Sequence, residues 1–377
     1  MGTTYTTAAA FLIAAVMVPM LRAPAAALGL LDHPDRRKRH EGCTPLTGGL
    51  AMFIAVIATL GLHFYTLTDF GGLILGMAVL LVMGLIDDLV DVRAIFRLVV
   101  QIGVATAAVV GFGLEVRELG ELLGPAFGTI SLGPFSTIFT VISMVFMINV
   151  INMADGVDGL AGGICVLLFG MLALIAWLSG APSSLFMLCL ITAAATAGFL
   201  MWNMRLPFRS RASAFMGDAG SMMLGFAAAW LATAIATTPG NGQPVYPIVI
   251  VFVLLVPSMD TVAIILRRLS QGRSPMSPDR AHLHHILRRC GLSVSATVGL
   301  IHLSVLCSGL LGILAWQMGL PEWPMFLMAS MLILGYSFAL INSHKILRWQ
   351  LRKRNRRFYN RPAVARLKPS SQHDVGP

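Results

Sequence analysis

Eleven separate stretches of this 377-residue chain are apolar over roughly the length a helix needs to cross a bilayer, about 20 residues, and no other feature restricts its fold as strongly. They lie at about 5–22, 48–65, 70–86, 94–113, 134–151, 160–179, 184–203, 219–237, 245–266, 296–318 and 323–342. Hydrocarbon offers a backbone no hydrogen-bond partners, so a lone apolar run must satisfy its own N–H and C=O groups as a helix. The sequence therefore predicts an all-α polytopic membrane protein with about 11 transmembrane helices, in one integral-membrane domain over residues 1–345. The eighth run, rich in Ala and Thr, gives the weakest span signal. A large soluble core is excluded by composition: 12% of residues are charged and the mean hydropathy is +0.79, against about 25% charged in soluble chains. The first run lacks a basic n-region and an A-x-A site, so it is read as a span and not a cleaved leader.

The net charge of +10 does not imply a nucleic-acid partner, because the basic residues follow the spans. If alternate connections face alternate sides, all 27 Lys and Arg except Arg117 fall on one side. The positive-inside rule makes that side cytoplasmic, which puts the N-terminus in the periplasm and the C-terminus inside. The basic tail over 346–377 is polar and is expected to be disordered. The outer connections are short, except 114–133, which is expected to form a small periplasmic hairpin. The five cysteines show no CxxC and no metal-ligand spacing.

A carboxylate near a bilayer is costly, so those at span ends need a reason. Asp87 and Asp88 end the third span, Asn152, Asp155 and Asp158 follow the fifth, and Asp218 precedes the eighth. All five aspartates fall on the cytoplasmic side. Adjacent carboxylates repel unless a cation is present, and oxygen donors without cysteine suit Mg²⁺ or Mn²⁺. Asp88, Asp155 and Asp218 are the candidate ligands. Asp87 and Asp88 occupy consecutive helix positions and so point about 100° apart. Each aspartate alone could cap a helix or pair with an arginine; together, in Gly-rich turns, they point to bound phosphate and metal.

Two further inner loops carry chemistry. In Ser274–His285, Ser277 as N-cap and Pro278 at the first helical position predict a helix start. His282 and His285 would then share a face, with His284 pointing elsewhere, beside Arg267, Arg268 and Arg280. That cluster suits an anionic substrate. The first loop, Asp32 to Gly49, holds Lys38, Gly48 and Gly49 and could hold phosphates, or could be topogenic only. Asp260 lies inside the ninth span, about 10 Å from its end at 1.5 Å per residue; it is expected to face the bundle interior and a positive partner and is given no chemical role. A secondary transporter is the reading from another class, but transporter sites lie near the midplane on broken helices, and only Asp260 approaches that depth.

At these four loops the chain resembles the polyprenyl-phosphate N-acetylhexosamine-1-phosphate transferases, the glycosyltransferase 4 or MraY-like superfamily. The resemblance runs from about residue 5 to 345. Its motifs are D-x-P-x-x-R-K-x-H…P-x-x-G-G (Asp32 to Gly49), Asp87-Asp88, N-x-x-D-G-x-D-G-L (Asn152 to Leu160) and F-M-G-D-x-G-S (Phe215 to Ser221). The H-x-H-H loop is similar to the branch that starts O-antigen and common-antigen glycans. The peptidoglycan branch has three consecutive histidines and a Lys-rich stretch after the Asp pair, absent here. The resemblance implies a bacterial inner-membrane enzyme that transfers GlcNAc-1-phosphate from UDP-GlcNAc to undecaprenyl phosphate at the cytoplasmic face, with Mg²⁺ or Mn²⁺ as cofactor. Another UDP-2-acetamido sugar is the nearest alternative donor. The resemblance further implies Asp218 as metal ligand and Asp87 as base or nucleophile, with Asp88 beside it. Asn152, Asp155, Asp158 and Asn203 would lie around the nucleotide, and Arg268, His282, His284 and His285 would bind the sugar-phosphate. Membrane lipids are the expected surroundings, and an oligomer stays open.

Overall fold

The computed structural model describes residues 2–32, 43–62, 70–274 and 281–342. Lys38, Ser277, Pro278, Arg280 and the basic tail lie outside the described residues. The apolar runs are all helical: α1 (Gly2–Met20), α3 (Gly48–Leu62), α4 (Gly71–Val90), α5 (Ala94–Thr106, continuing as a π turn to Gly111), α6 (Ser136–Ala154), α7 (Leu160–Leu178), α8 (Ser183–Asn203), α9 (Gly217–Thr237), the pair α10 (Pro247–Val253) and α11 (Leu255–Ser270), α13 (Val294–Gln317) and α14 (Glu322–Ile341). Between them lie the short helices α2 (Arg22–Ala27) and α12 (Leu283–Arg289), and the two-residue strands β1 (Leu31–Asp32) and β2 (Thr44–Pro45).

The chain is thus a mostly helical, polytopic membrane protein, though its spans are not all alike. Among the described residues nine helices are long and apolar enough to cross a membrane, with the bent pair α10–α11 as a tenth. The second expected span, α3, has 15 described helical residues and falls short of that length. The ninth is broken by 81°. Pro257 explains the break: it has no N–H to donate to Val253, one turn back, and its ring crowds that carbonyl. The helix ends at Val253 and restarts at Leu255.

Helix α9, the weakest span by hydropathy, is the most enclosed, with 89% of its span buried against 22% for α1 and α14. Its many Ala and Gly residues lower hydropathy but let neighbouring backbones approach closely. Helices α3, α4, α6 and α7 surround it. At Gly84 of α4 a Cβ would strike the backbone of Asp218 and Ala219. Only glycine fits there, and this contact fixes where the end of α4 meets the start of α9.

At the other end of α5 and α6, Glu118–Gly120 (β3) pairs antiparallel with Ile130–Ser131 (β4), so the hairpin expected in 114–133 is present. Glu322, buried at the start of α14, accepts from the Glu121 N–H at 3.0 Å and ties the hairpin down.

Candidate active site

Helix α4 stops at Asp91, whose left-handed φ of 49° is one that an Asp tolerates better than most residues. The turn brings the Val92 N–H to Asp87 Oδ1 at 2.7 Å and sends the chain back as α5. One turn into α5, Arg97 donates to Asp87 Oδ2 through Nη1, and the same nitrogen lies 3.3 Å from Asp218 Oδ2 at the start of α9. Asp218 is held from its other side by Asn152, whose Nδ2 donates to Asp218 Oδ1 at 2.5 Å and to Ser221 Oγ at 3.0 Å. Three loops far apart in sequence therefore meet through four side chains: Asp87, Arg97, Asn152 and Asp218.

Asp88, the neighbour in the pair, points away as the helical spacing requires. Its Oδ1 accepts from the Asp218 N–H at 2.9 Å and its Oδ2 from the Ala219 N–H at 3.3 Å. It caps the start of α9, where backbone donors lack intrahelical partners. Gly217, at φ +72°, makes room, since a Cβ there would strike the Asp88 carboxylate. The expected trio of Asp88, Asp155 and Asp218 does not gather: among the described residues no three His, Cys, Asp or Glu side chains come together as metal ligands. Two aspartates converge instead, and Arg97 lies between them.

Several other expected site residues hold the loops in shape. Asp158 accepts from Arg205 Nε at 2.8 Å and from the Ala212 N–H at 3.2 Å. The buried Asn203 accepts from the Gly159 N–H at 2.8 Å and donates to Ala214 O at 3.0 Å. Gly48 and Gly49 donate their N–H groups to Phe215 O and Met216 O at 3.0 and 3.2 Å, which locks the start of α3 against the F-M-G-D loop and leaves these two amides engaged. Asp32 pairs with Thr44 across the β1–β2 ladder. Asp155 follows the last turn of α6, its N–H donating to Asn152 O at 3.2 Å.

The histidines form a second layer. Helix α12 begins at Leu283 with His282 as N-cap, not at Pro278. In consequence all three rings cluster: His282 stacks on His284 at 5.6 Å and His284 meets His285 at 4.2 Å. The position of His284, expected to point elsewhere, is corrected; it is buried against the D-G-V-D-G turn, its Nε2 3.2 Å from where a Cβ on Gly156 would lie. Burial, and then the neighbouring rings of His285 and His282, push its pKa down to about 3. It is therefore neutral at physiological pH. Arg268, at the end of α11, is also buried.

Asp260 is what holds this layer. Its Oδ2 lies 2.9 Å from His282 Nδ1, while its Oδ1 accepts from the Leu283 N–H at 2.9 Å and from the Tyr336 hydroxyl of α14 at 2.7 Å. The expected positive partner is thus a histidine of the neighbouring loop. Arg97 is the site residue that the sequence pattern does not single out, since it counts there only as a topological charge. The signal that could have found it is its position inside an apolar helix, where a guanidinium needs a partner.

Comparison with known proteins agrees with this arrangement. Residues 70–236, which include Asp87, Arg97, Asn152 and Asp218, match the glycosyl transferase family 4. The undecaprenyl-phosphate alpha-N-acetylglucosaminyl 1-phosphate transferase of Salmonella typhi is 34% identical over 92% of this chain and 93% of its own length. The proteins of that name from Escherichia coli K12 and Haemophilus influenzae are 33% and 34% identical, over 93% and 92% of this chain and 94% and 95% of theirs.

Proposed function

The chain belongs to glycosyl transferase family 4, and from that premise we propose that it transfers N-acetylglucosamine-1-phosphate from UDP-GlcNAc to undecaprenyl phosphate, giving undecaprenyl-diphospho-GlcNAc and UMP. The product begins a lipid-linked glycan of the O-antigen or common-antigen kind. The observation that carries the reading is the meeting of Asp87 and Asp218 on Arg97 at the helix ends. Carboxylates and a cation gathered at a bundle end suit a reaction between a lipid phosphate and a water-soluble nucleotide sugar. The one-sided distribution of Lys and Arg supports a cytoplasmic site in a bacterial inner membrane, with the N-terminus outside.

In this transfer an oxygen of the lipid phosphate bonds to the sugar-bearing phosphorus. The bond from that phosphorus to the bridging oxygen breaks, and UMP leaves with the electron pair. Asp87, oriented by Val92 N–H and Arg97, takes the proton that the attacking phosphate still carries. Arg97 offers its charge to the phosphoryl oxygens as negative charge builds up on them. The histidine layer and Arg268 hold the sugar diphosphate, with the neutral His284 contributing hydrogen bonds and no charge.

Oxygen-only donors fit Mg²⁺ or Mn²⁺, and Mg²⁺ commonly binds through one or two carboxylates plus substrate phosphates. Asp218, steadied by Asn152, would hold the ion beside Asp87. Bound there, it would supply charge stabilisation to the leaving phosphate. Asp88 acts one step removed in this reading, by capping the helix that presents Asp218.

The test is to mix purified protein, undecaprenyl phosphate, Mg²⁺ and a panel of UDP-sugars, and to identify the lipid product by mass. Undecaprenyl-diphospho-GlcNAc with matching UMP release is expected. A product formed only from another UDP-2-acetamido sugar would reassign the donor. Uptake of labelled substrate into proteoliposomes without UMP release would replace transfer by transport.

A further inference from the structure

We propose that Asp260 is a positioning residue for the sugar-nucleotide site, acting through His282, whose ring tautomer it sets. The inference rests on the transfer reading, in which His282 touches the donor.

The two oxygens of Asp260 have different duties. Oδ1 takes the scaffold bonds, from the Leu283 N–H and the Tyr336 hydroxyl, which join α11, α12 and α14. Oδ2 takes only His282 Nδ1. An ionised carboxylate can only accept, so Nδ1 must carry the hydrogen. Which nitrogen of a histidine faces a ligand is set by the bond the other one makes. Here Nδ1 is engaged, and Nε2 makes no hydrogen bond among the described residues. The ring is held as well as polarised: His282 is nearly buried, stacks on His284 with a 7° interplanar angle, and lies in the same small cleft as Asp260, Met153 and Ala154. Met153 and Ala154 end α6, immediately before the D-G-V-D-G turn. The side chains facing His282 from the packed elements are Asp260 of α11, His284 and His285 of α12, and Tyr336 of α14 through its bond to Asp260.

The substitution Asp260→Asn separates the two duties. The amide oxygen it introduces can still accept from Leu283 N–H and Tyr336, so the scaffold survives. The new NH₂ would face Nδ1 in place of Oδ2 and would force that nitrogen to accept, moving the ring hydrogen to Nε2. Pure scaffolding therefore predicts that Asp260→Asn behaves as wild type. Positioning predicts a lower kcat/KM for UDP-GlcNAc, by roughly tenfold, the scale of one weakened hydrogen bond to a charged group. It also predicts an unchanged KM for undecaprenyl phosphate and near-normal thermal stability.

The experiment is a double-mutant cycle with Asp260→Asn and His282→Ala, reading kcat/KM for each substrate and thermal unfolding. If Asp260 acts through His282, the double variant is no worse than His282→Ala alone. Additive losses, or a wild-type kcat/KM in Asp260→Asn, would overturn the positioning role. The wild-type arm keeps the two ideas apart. Absence of any lipid product from wild type would overturn the transfer reading itself, whereas wild-type turnover with an unaffected Asp260→Asn would overturn only the role of Asp260.

Discussion

The two layers of the site are assembled by opposite means. The aspartate layer sits where α4 and α9 meet backbone to backbone, at Gly84 against Asp218 and Ala219, and its polar groups are carried by the ends of long, enclosed helices. The histidine layer sits on a seven-residue helix, α12, hung from a broken span by the single carboxylate of Asp260. The first is rigid because bulk is missing, the second because one polar group has several partners. Damage to the first should therefore stop the chemistry, and damage to the second should weaken capture of the substrate.

The largest effect should come from removing the divalent ion. Excess EDTA should abolish UMP release and Mg²⁺ or Mn²⁺ should restore it, with Asp218→Asn inactive though normally inserted; full activity in EDTA would remove metal from the aspartate layer. Next is Asp87→Asn. A neutral amide cannot take the proton, so kcat should fall about 10²–10⁴-fold while UDP-GlcNAc binding, followed by calorimetry, persists. Loss of nucleotide binding in that variant would show that the layers do not divide the work as described.

On the histidine side, Arg268→Ala should cost roughly tenfold to a hundredfold in kcat/KM for UDP-GlcNAc, the worth of a charged hydrogen bond of about 1.5–3 kcal/mol. An equal fall in kcat at saturating donor would blur the contrast between layers. Gly84→Ala should then destabilise by about 1–3 kcal/mol, the usual cost of overpacking, because the new methyl meets backbone that cannot rotate away. Thermal unfolding reads this directly.

The smallest effect is a pH dependence. His284 is held near 3 in the fold and returns to about 6.5 on unfolding. The unfolded chain thus binds the proton more readily, and stability is present in full above about pH 6.5 and is lost as pH falls toward 3. His284→Gln should flatten that part of the stability curve. An unchanged slope would mean that His284 charges in place.

The aspartate layer is largely legible in the sequence and the histidine layer only partly so. Apolar length and basic loops locate the helices, and the crowding of Asp87, Asn152, Asp155, Asp158 and Asp218 at span ends marks the site. What stays hidden depends on tertiary contact. Asp88 and Asn203 look like binding residues in sequence, but their oxygens meet backbone amides of other loops. The α12 start is misplaced from sequence because Ser277-Pro278 is a good local helix signal, while Asp260, 23 residues before Leu283, captures the Leu283 N–H instead. The Pro257 break is visible in principle, since proline in a long apolar run is a known point of failure. Its consequence, an 81° turn, requires the neighbours.

The Asp87–Arg97 pair also bears on how the protein is made. Helices α4 and α5 leave the ribosome well before α9, at about 5–20 residues per second, so Asp218 does not yet exist when Asp87 first reaches the membrane. Within the α4–α5 hairpin the acid and the guanidinium already offset each other, and the hairpin can enter lipid without a bare charge at its tip. Arg97→Ala should accordingly reduce the yield of correctly inserted chain, measured by glycosylation or cysteine-labelling reporters during synthesis. The ion pair that later faces the substrate would thus first serve as a passport for the hairpin that carries it.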